Sequence, residues 1–371
     1  MSSPFFVVES VGATIPESSG IVRLPPRPEE LQQDGFRDAF DYRTLWYEAF
    51  NTPTGISLSG PPLLNLLPTL ASAVWLVDGV DVSSSVCLED RGHAQMSYVD
   101  GVQGKTLEVK SAEFEVTIPI GVSYVGAFDG LRAIYTKSKN NRLRWIRDWL
   151  TFHVEEHGVN AALIYDNGST DYAPEDVLDL MTGVQGLEAG VVVSWPYKFG
   201  PQAGPSGRFD SDFFEYVVGS DAQRRFLGSS SGVIHADVDE LVLTGDGRSV
   251  FEHLNDSKTG YLRYHGSVVE GTPTNTNFNQ EDFSFQDFGY VDPQKALSTP
   301  KWSCLPGRLP SNVQWRTHSI HGMTTAIYSG VIHRHFYAVS TGWKFRRSAT
   351  GLAKDWWAID QPIADALQRH L

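Results

Sequence analysis

The chain has 371 residues, with 44 Asp and Glu against 30 Lys and Arg and a formal net charge of −14. That balance opposes nucleic-acid binding, which draws its affinity from Lys and Arg on phosphates, and it opposes broad adhesion to anionic membrane. Hydrophobic residues make up 41% of the chain, enough at this length to bury one large core or two ordinary ones.

Only two cysteines occur, Cys87 and Cys304, too few and too far apart for a disulfide framework or a zinc site. They predict free thiols in a reducing compartment. Residues 1–10 lack the basic region and apolar length of a signal peptide. The most apolar segment, 63–77, is broken by Asn65 and Pro68 and falls short of the ~20 residues that span a bilayer. The expectation is a soluble, cytoplasmic protein without an integral membrane span, at most peripheral to a membrane. Of the two sequons, Asn167-Gly168-Ser169 lies in a loop read below as part of a site, where a glycan would obstruct binding.

Residues 1–60 are rich in Pro, Gly and Ser until 36–50, where apolar and aromatic side chains recur at helical spacing. From 73 to 125 short alternating runs, such as 111–119, predict antiparallel strands. The front third, 1–128, therefore reads as a β-rich accessory region in which nothing points to chemistry. From 129 to 347 apolar runs alternate with helical patterns, the signature of βαβ units. The first strand is 131–136, and Asn140 or Asn141 caps a helix that runs to about His157 and stops at Gly158. Leu143, Ile146, Leu150 and Val154 form its buried stripe, and Trp145, Trp149 and Phe152 read as core. A second strand, 159–165, ends in Asp166-Asn167-Gly168-Ser169-Thr170-Asp171. A helix at 173–181, a strand at 190–195, a Pro- and Gly-rich loop and a helix at 212–226 follow. The tail, 348–371, holds a helix from Trp356-Trp357 to about His370. The predicted fold is α/β, a mixed and mostly parallel sheet flanked by helices, with ligands at the C-terminal ends of its strands.

After the 212–226 helix, the apolar run 232–236 leads into Asp237-Val238-Asp239-Glu240, and a second apolar run follows. Three carboxylates so close repel one another unless a hard cation lies between them. Read alone, the cluster is either a metal–diphosphate platform or an ordinary acidic turn.

Three motifs occur in order: Lys139-Asn140 after the first strand with a Trp-bearing helix behind it, Asp166-Asn167-Gly168-Ser169-Thr170-Asp171 after the second, and Asp237-Val238-Asp239-Glu240 after a later one. This series resembles GT-A glycosyltransferases of the family 2 and family 92 kind over about residues 131–345. The resemblance implies a Rossmann-like GT-A fold, a nucleotide-diphosphate sugar donor, a glycan or glycolipid acceptor, and Mn²⁺ or Mg²⁺ to neutralise the leaving diphosphate. It places Asp237 toward the ribose and Asp239 on the metal, and leaves Glu240 as either support or an ordinary strand residue. Asp166 would bind the base or ribose, with Thr136, Lys139, Asn140 and Asn167 in the same pocket. Gly168 either lets the loop pass under the nucleotide or is a plain turn glycine.

A third metal ligand is expected downstream. His318, after the stretch from Lys301 to Pro306, is the choice, against a structural hydrogen-bonded histidine. His333 and His335 alternate on one strand and would line the acceptor cleft. Inverting transfer also needs a base, for which Asp282 or Glu281 is nominated against a plain acidic loop tip. Lys344, Arg346 and Arg347 would close over the diphosphate or merely pair at the surface.

Two other classes compete. A nucleotidyltransferase that makes sugar nucleotides is opposed by the lack of a Gly-rich, Lys-containing phosphate loop at the start of the fold. An inactive glycan-binding protein is opposed by the intact Asp166, Asp237 and Asp239.

Overall fold

The structure, a computed structural model, describes residues 4–205, 207, 209–275, 278–342, 347 and 352–371. It separates into two compact units, one of Met1–Val8, Ala127–Trp195 and Leu227–Leu371, the other of Glu9–Gly126 and Pro196–Phe226. The segment Pro196–Phe226, drawn from sequence inside 129–347, thus groups with the N-terminal residues, and the tail beyond 348 groups with the larger unit.

The larger unit is α/β. Its elements in chain order are β1 (Phe5–Glu9), β2 (Arg132–Ser138), α1 (Leu143–His157), β3 (Ala161–Asp166), α2 (Pro174–Thr182), β4 (Ala189–Ser194), β5 (Gly232–His235), β6 (Glu240–Thr244), α3 (Val250–Asp256), β7 (Tyr261–Val269), β8 (Tyr290–Val291), β9 (Ser298–Cys304), β10 (Val331–Phe336), β11 (Ala358–Ile359) and α4 (Gln361–His370). The sheet order is β1-β4-β3-β2-β5-β9-β7-β8-β11, with β10 on β7 and β6 on β10. Strands β4, β3, β2 and β5 are parallel, whereas β9 runs antiparallel to both β5 and β7. The parallel strands end side by side, which delivers Ser138, Asp166 and the turn after His235 to one edge.

Helix α1 supplies much of the core. Trp145, Ile146, Trp149, Leu150 and Phe152 are all buried in the cluster that also holds Ile134, Ile164 and Ile234 of the sheet. Burial of each such side chain contributes roughly 1.5–3 kcal/mol. Gly158 closes the helix at φ 66°, a left-handed residue whose N–H reaches the Val154 carbonyl. The N-cap is Arg142 rather than Asn140 or Asn141, and no side chain caps it. Asn140 instead adopts φ 54° and is used to join loops, as described below.

Two further expectations change. Of residues 36–50, only Phe36–Ala39 forms a helical turn; Thr44–Trp46 and Glu48–Thr52 are strands. Residues 44–50 are buried without exception, so both faces of the strands are apolar or occupied and no alternation is visible in the sequence. The C-terminal helix starts at Gln361, with Asp360 at its N-cap and Pro362 in its first turn, so Trp356 and Trp357 precede it.

The smaller unit is β-rich. Two four-stranded antiparallel sheets surround a core that includes Trp46, Leu58, Trp75, Val99, Leu107 and Ile118. The expected helix over 212–226 is α-helical at Phe213–Asp221 and continues as a π-helical turn at Ala222–Leu227.

Candidate active site

The turn Asp237–Glu240 follows β5 directly. It is closed by the Glu240 N–H on the Asp237 carbonyl at 2.9 Å, and the Glu240 carboxylate accepts the Asp237 N–H at 2.9 Å. Ligand oxygens of Asp237, Asp239 and Glu240 all lie within 4.8 Å of one another. The packing behind the turn explains how it is held. Trp149 of α1 donates its indole N–H to the Glu240 carbonyl at 3.1 Å. One and two turns of α1 later, His153 and His157 engage both backbone groups of Val242: His153 Nε2 accepts the N–H at 3.3 Å, and His157 Nε2–H donates to the carbonyl at 2.9 Å. These bonds fix each imidazole as a neutral tautomer, and burial pushes His153 down to about 3 and His157 down to about 4.

The carboxylates are matched by cations. Asp237 lies between two buried lysines, Lys137 Nζ of β2 at 2.8 Å and Lys301 Nζ of β9 at 2.5 Å. Lys301 also reaches Glu240 at 3.0 Å. Burial alone would lower the pKa of Lys301, but Asp237 and Glu240 outweigh it and leave the value raised. Burial raises the Glu240 carboxyl, against the pull of Lys301. His335 Nε2 stands 3.1 Å from Asp239 Oδ2, and Arg347 is 3.2 Å from the same oxygen and 2.6 Å from that nitrogen. His333 is fully buried with Nε2 on Ser298 Oγ at 3.1 Å, and burial, with Lys301 close by, holds it well below the ordinary imidazole range. Its approach requires Gly266, because a Cβ there would lie 2.1 Å from His333 Nε2.

Several expected residues arrive differently. Among the described residues His318 is not in the metal-ligand cluster; its Nδ1 faces the Pro300 carbonyl at 3.1 Å, and Glu240 is the third carboxylate instead. Thr136 is fully buried and bonds a backbone carbonyl, so it lines no open pocket. Asp166 takes the Ser169 N–H and hydroxyl on its two oxygens at 2.9 and 2.5 Å, and thereby shapes its own loop. Asn167 is buried with its amide on the Trp195 carbonyl. Asn140 bridges the loops after β2 and β3 by accepting the Thr170 N–H at 2.7 Å and donating its own N–H to Ser169 Oγ at 2.9 Å. Lys139 binds Thr341 through its carbonyl, and Gly168 has φ 67°.

The nominated bases lie in a loop that bonds the start of α1. Asp282 pairs with exposed Arg144 at 2.7 Å and the Glu281 carbonyl accepts from Arg142 at 2.9 Å, with no hydrogen bond to the acidic cluster among the described residues. His333 and His335, expected in an acceptor cleft, instead flank the carboxylates. Lys344 and Arg346 lie outside the described residues. The residues that the sequence reading gave no role are Lys137 and Lys301. Lys301 carries a partial signal, standing between Pro300 and Trp302, since a lysine is almost never fully buried without a partner; Lys137, between Thr136 and Ser138, carries none.

No family model matches the chain, and no curated protein sequence matches it. Similar solved structures include the mannosyltransferase Ktr4p from S. cerevisiae, at 12% identity and TM-score 0.25 over 38% of this chain and 41% of that one. An active-site mutant of LgtC is similar at 12% identity and TM-score 0.27, over 47% of this chain and 58% of that one. The chain thus spans about half the length of each, and no residue role is taken from either. Among the described residues no helix is long and apolar enough to cross a membrane.

Proposed function

We propose that the chain is a metal-dependent glycosyltransferase that moves a sugar, with inversion, from a nucleotide-diphosphate donor to a glycan or glycolipid acceptor. The observation that carries the reading is the packing of three carboxylates within 4.8 Å of one another at the C-terminal end of a parallel strand. An all-oxygen donor set suits Mn²⁺ or Mg²⁺. Asp239 Oδ1 makes no hydrogen bond among the described residues, and Glu240 Oε1 has only His333 at 3.6 Å, so both oxygens are available to a cation.

A bound metal would stabilise the charge that develops on the leaving diphosphate. The protein's own residues do the rest. Lys137 and Lys301 hold Asp237 toward the ribose. Asp166 and Asn140 hold the two adjacent loops in the shape that receives the nucleotide. Arg347, placed on Asp239, is positioned to meet a diphosphate oxygen.

The lysine clamp on Asp237 favours a second reading, in which the two ammonium groups carry the diphosphate charge and no metal is needed. The experiment is a thermal shift with UDP or GDP, with Mn²⁺ and with EDTA. On the first reading, Mn²⁺ plus one nucleotide raises the melting temperature, Asp239→Ala abolishes the shift, and donor sugar is slowly hydrolysed when no acceptor is present. On the second, the nucleotide shift persists in EDTA. If no nucleoside diphosphate shifts the protein under either condition, both readings fail.

A further inference from the structure

The smaller unit contains a cavity of about 190 Å³ that the proposed transfer chemistry does not use. Its walls come from the strands Gly55–Gly60 and Gln95–Asp100 and from the π-helical turn Ala222–Leu227, and they include Thr52, Ser57, Tyr98, Asp100 and Arg224. π-Helical turns cost regular hydrogen bonding and cluster at functional positions.

Among the described residues, two polar groups at this cavity make no side-chain hydrogen bond. Ser57 is 1% exposed and its Oγ has no hydrogen-bond partner. Arg224 makes no hydrogen bond or ion pair among the described residues; burial and Arg91 disfavour its charge and outweigh the pull of Asp221 and Glu89. Arg225, the next residue, is the contrast: it is fully enclosed, pairs with Glu48 at 2.8 Å and lies against the rings of Phe50, Tyr124 and Phe226. The fold therefore does partner arginines in this turn, and it leaves Arg224 facing the cavity. Ser57 and Tyr98 are register partners across the two strands, so the hydroxyl and the ring stand side by side. Gly55 completes the wall, since a Cβ there would lie 2.1 Å from the Val99 carbonyl.

A guanidinium with unused donors calls for a planar oxyanion, which it grips with two parallel bonds. A buried hydroxyl calls for a group able to donate or accept, and the half-exposed Tyr98 ring offers a flat face to C–H bonds. Asp100 at the wall accepts from hydroxyls and disfavours a bare anion. At about 30 Å³ per water, the cavity holds roughly six waters, the scale of one sugar ring. The geometry points to a binding site for a saccharide unit that carries an anionic group, with the oxyanion on Arg224, a hydroxyl on Ser57 and the ring face on Tyr98.

This site is independent of the transfer reading. The test is titration of the full chain, followed by calorimetry or ligand-observed NMR, with glucuronic acid, glucose 6-phosphate and glucose. Expected are binding of at least one acidic sugar, at least tenfold weaker binding of glucose, and loss of binding in Arg224→Gln at an unchanged melting temperature, with partial rescue in Arg224→Lys. Comparison of the two acidic sugars tells a uronate from a sugar phosphate. Asp239→Ala binds as the unmodified chain does, which separates this site from the acidic turn. Should Arg224→Gln not fold, Ser57→Val, which fills the cavity, must show the same loss. Failure of both acidic sugars to bind at millimolar concentration, equal binding of glucose, or undiminished binding in the variants overturns the proposal.

Discussion

Asp237, its side chain 28% exposed, and Glu48, at 3%, are two carboxylates with different charge surroundings. Asp237 has two ammonium groups at 2.8 and 2.5 Å, one of which, Lys301, it shares with Glu240. Glu48 has one guanidinium, Arg225, at 2.8 Å, and Asp221 adds a second negative charge to the same surroundings. Burial and Asp221 outweigh Arg225, and the Glu48 carboxyl is pushed up to about 8. A short ion-pair distance therefore does not by itself mean that a carboxylate is satisfied; the count of charges around it decides.

The largest expected effect comes from removing one of these cations. Lys301→Ala leaves the buried Glu240 without its cation and Asp237 with Lys137 alone, and the predicted loss is about 3–5 kcal/mol in urea unfolding. If the loss is under 1 kcal/mol, Lys137 alone suffices and the contrast with Glu48 collapses.

His157 tests a second kind of burial, in which charge is avoided rather than matched. Its folded pKa, about 4, is below the usual imidazole value near 6.5, so the unfolded chain binds the proton first as pH falls. Stability is present above pH 6.5 and is lost toward pH 4, by about 3 kcal/mol for this group. Acid denaturation of His157→Asn should lack most of that slope, while its stability at pH 7 falls through lost packing.

Glu48 gives an oppositely signed effect, the smallest of the three only over the pH 6–8 window in which it is read. Its folded pKa lies above the ordinary 4.5, so between pH 4.5 and about 8 the folded state holds the extra proton and stability falls as pH rises, by at most ~1.4 kcal/mol per pH unit. Glu48→Gln should remove this slope between pH 6 and 8. An unchanged slope would mean that Glu48 is ionised and as well matched as Asp237.

The sequence carried the parallel half of the sheet well, because Ile134, Ile164 and Ile234 lie in short apolar runs each followed by a polar tip. It also placed the acidic turn at a strand end. What it could not carry were pairings between distant residues. Lys301 is 64 residues from Asp237, and nothing in the intervening chain marks β9 as the neighbour of β5. Asp166 and Asn167 were legible as a loop motif, but their side chains are spent on Ser169 and the Trp195 carbonyl, a use that only the folded loop reveals. The strands at 44–52 were hidden because burial on both faces erases the two-residue period.

Trp149, His153 and His157 grip the backbone of residues 240 and 242 from one helix face. The acidic turn is therefore not a portable peptide. A designer who wishes to move it into another α/β scaffold must transplant Leu143–His157 with it, as a paired cassette in which the helix serves as the jig and the four-residue turn as the workpiece.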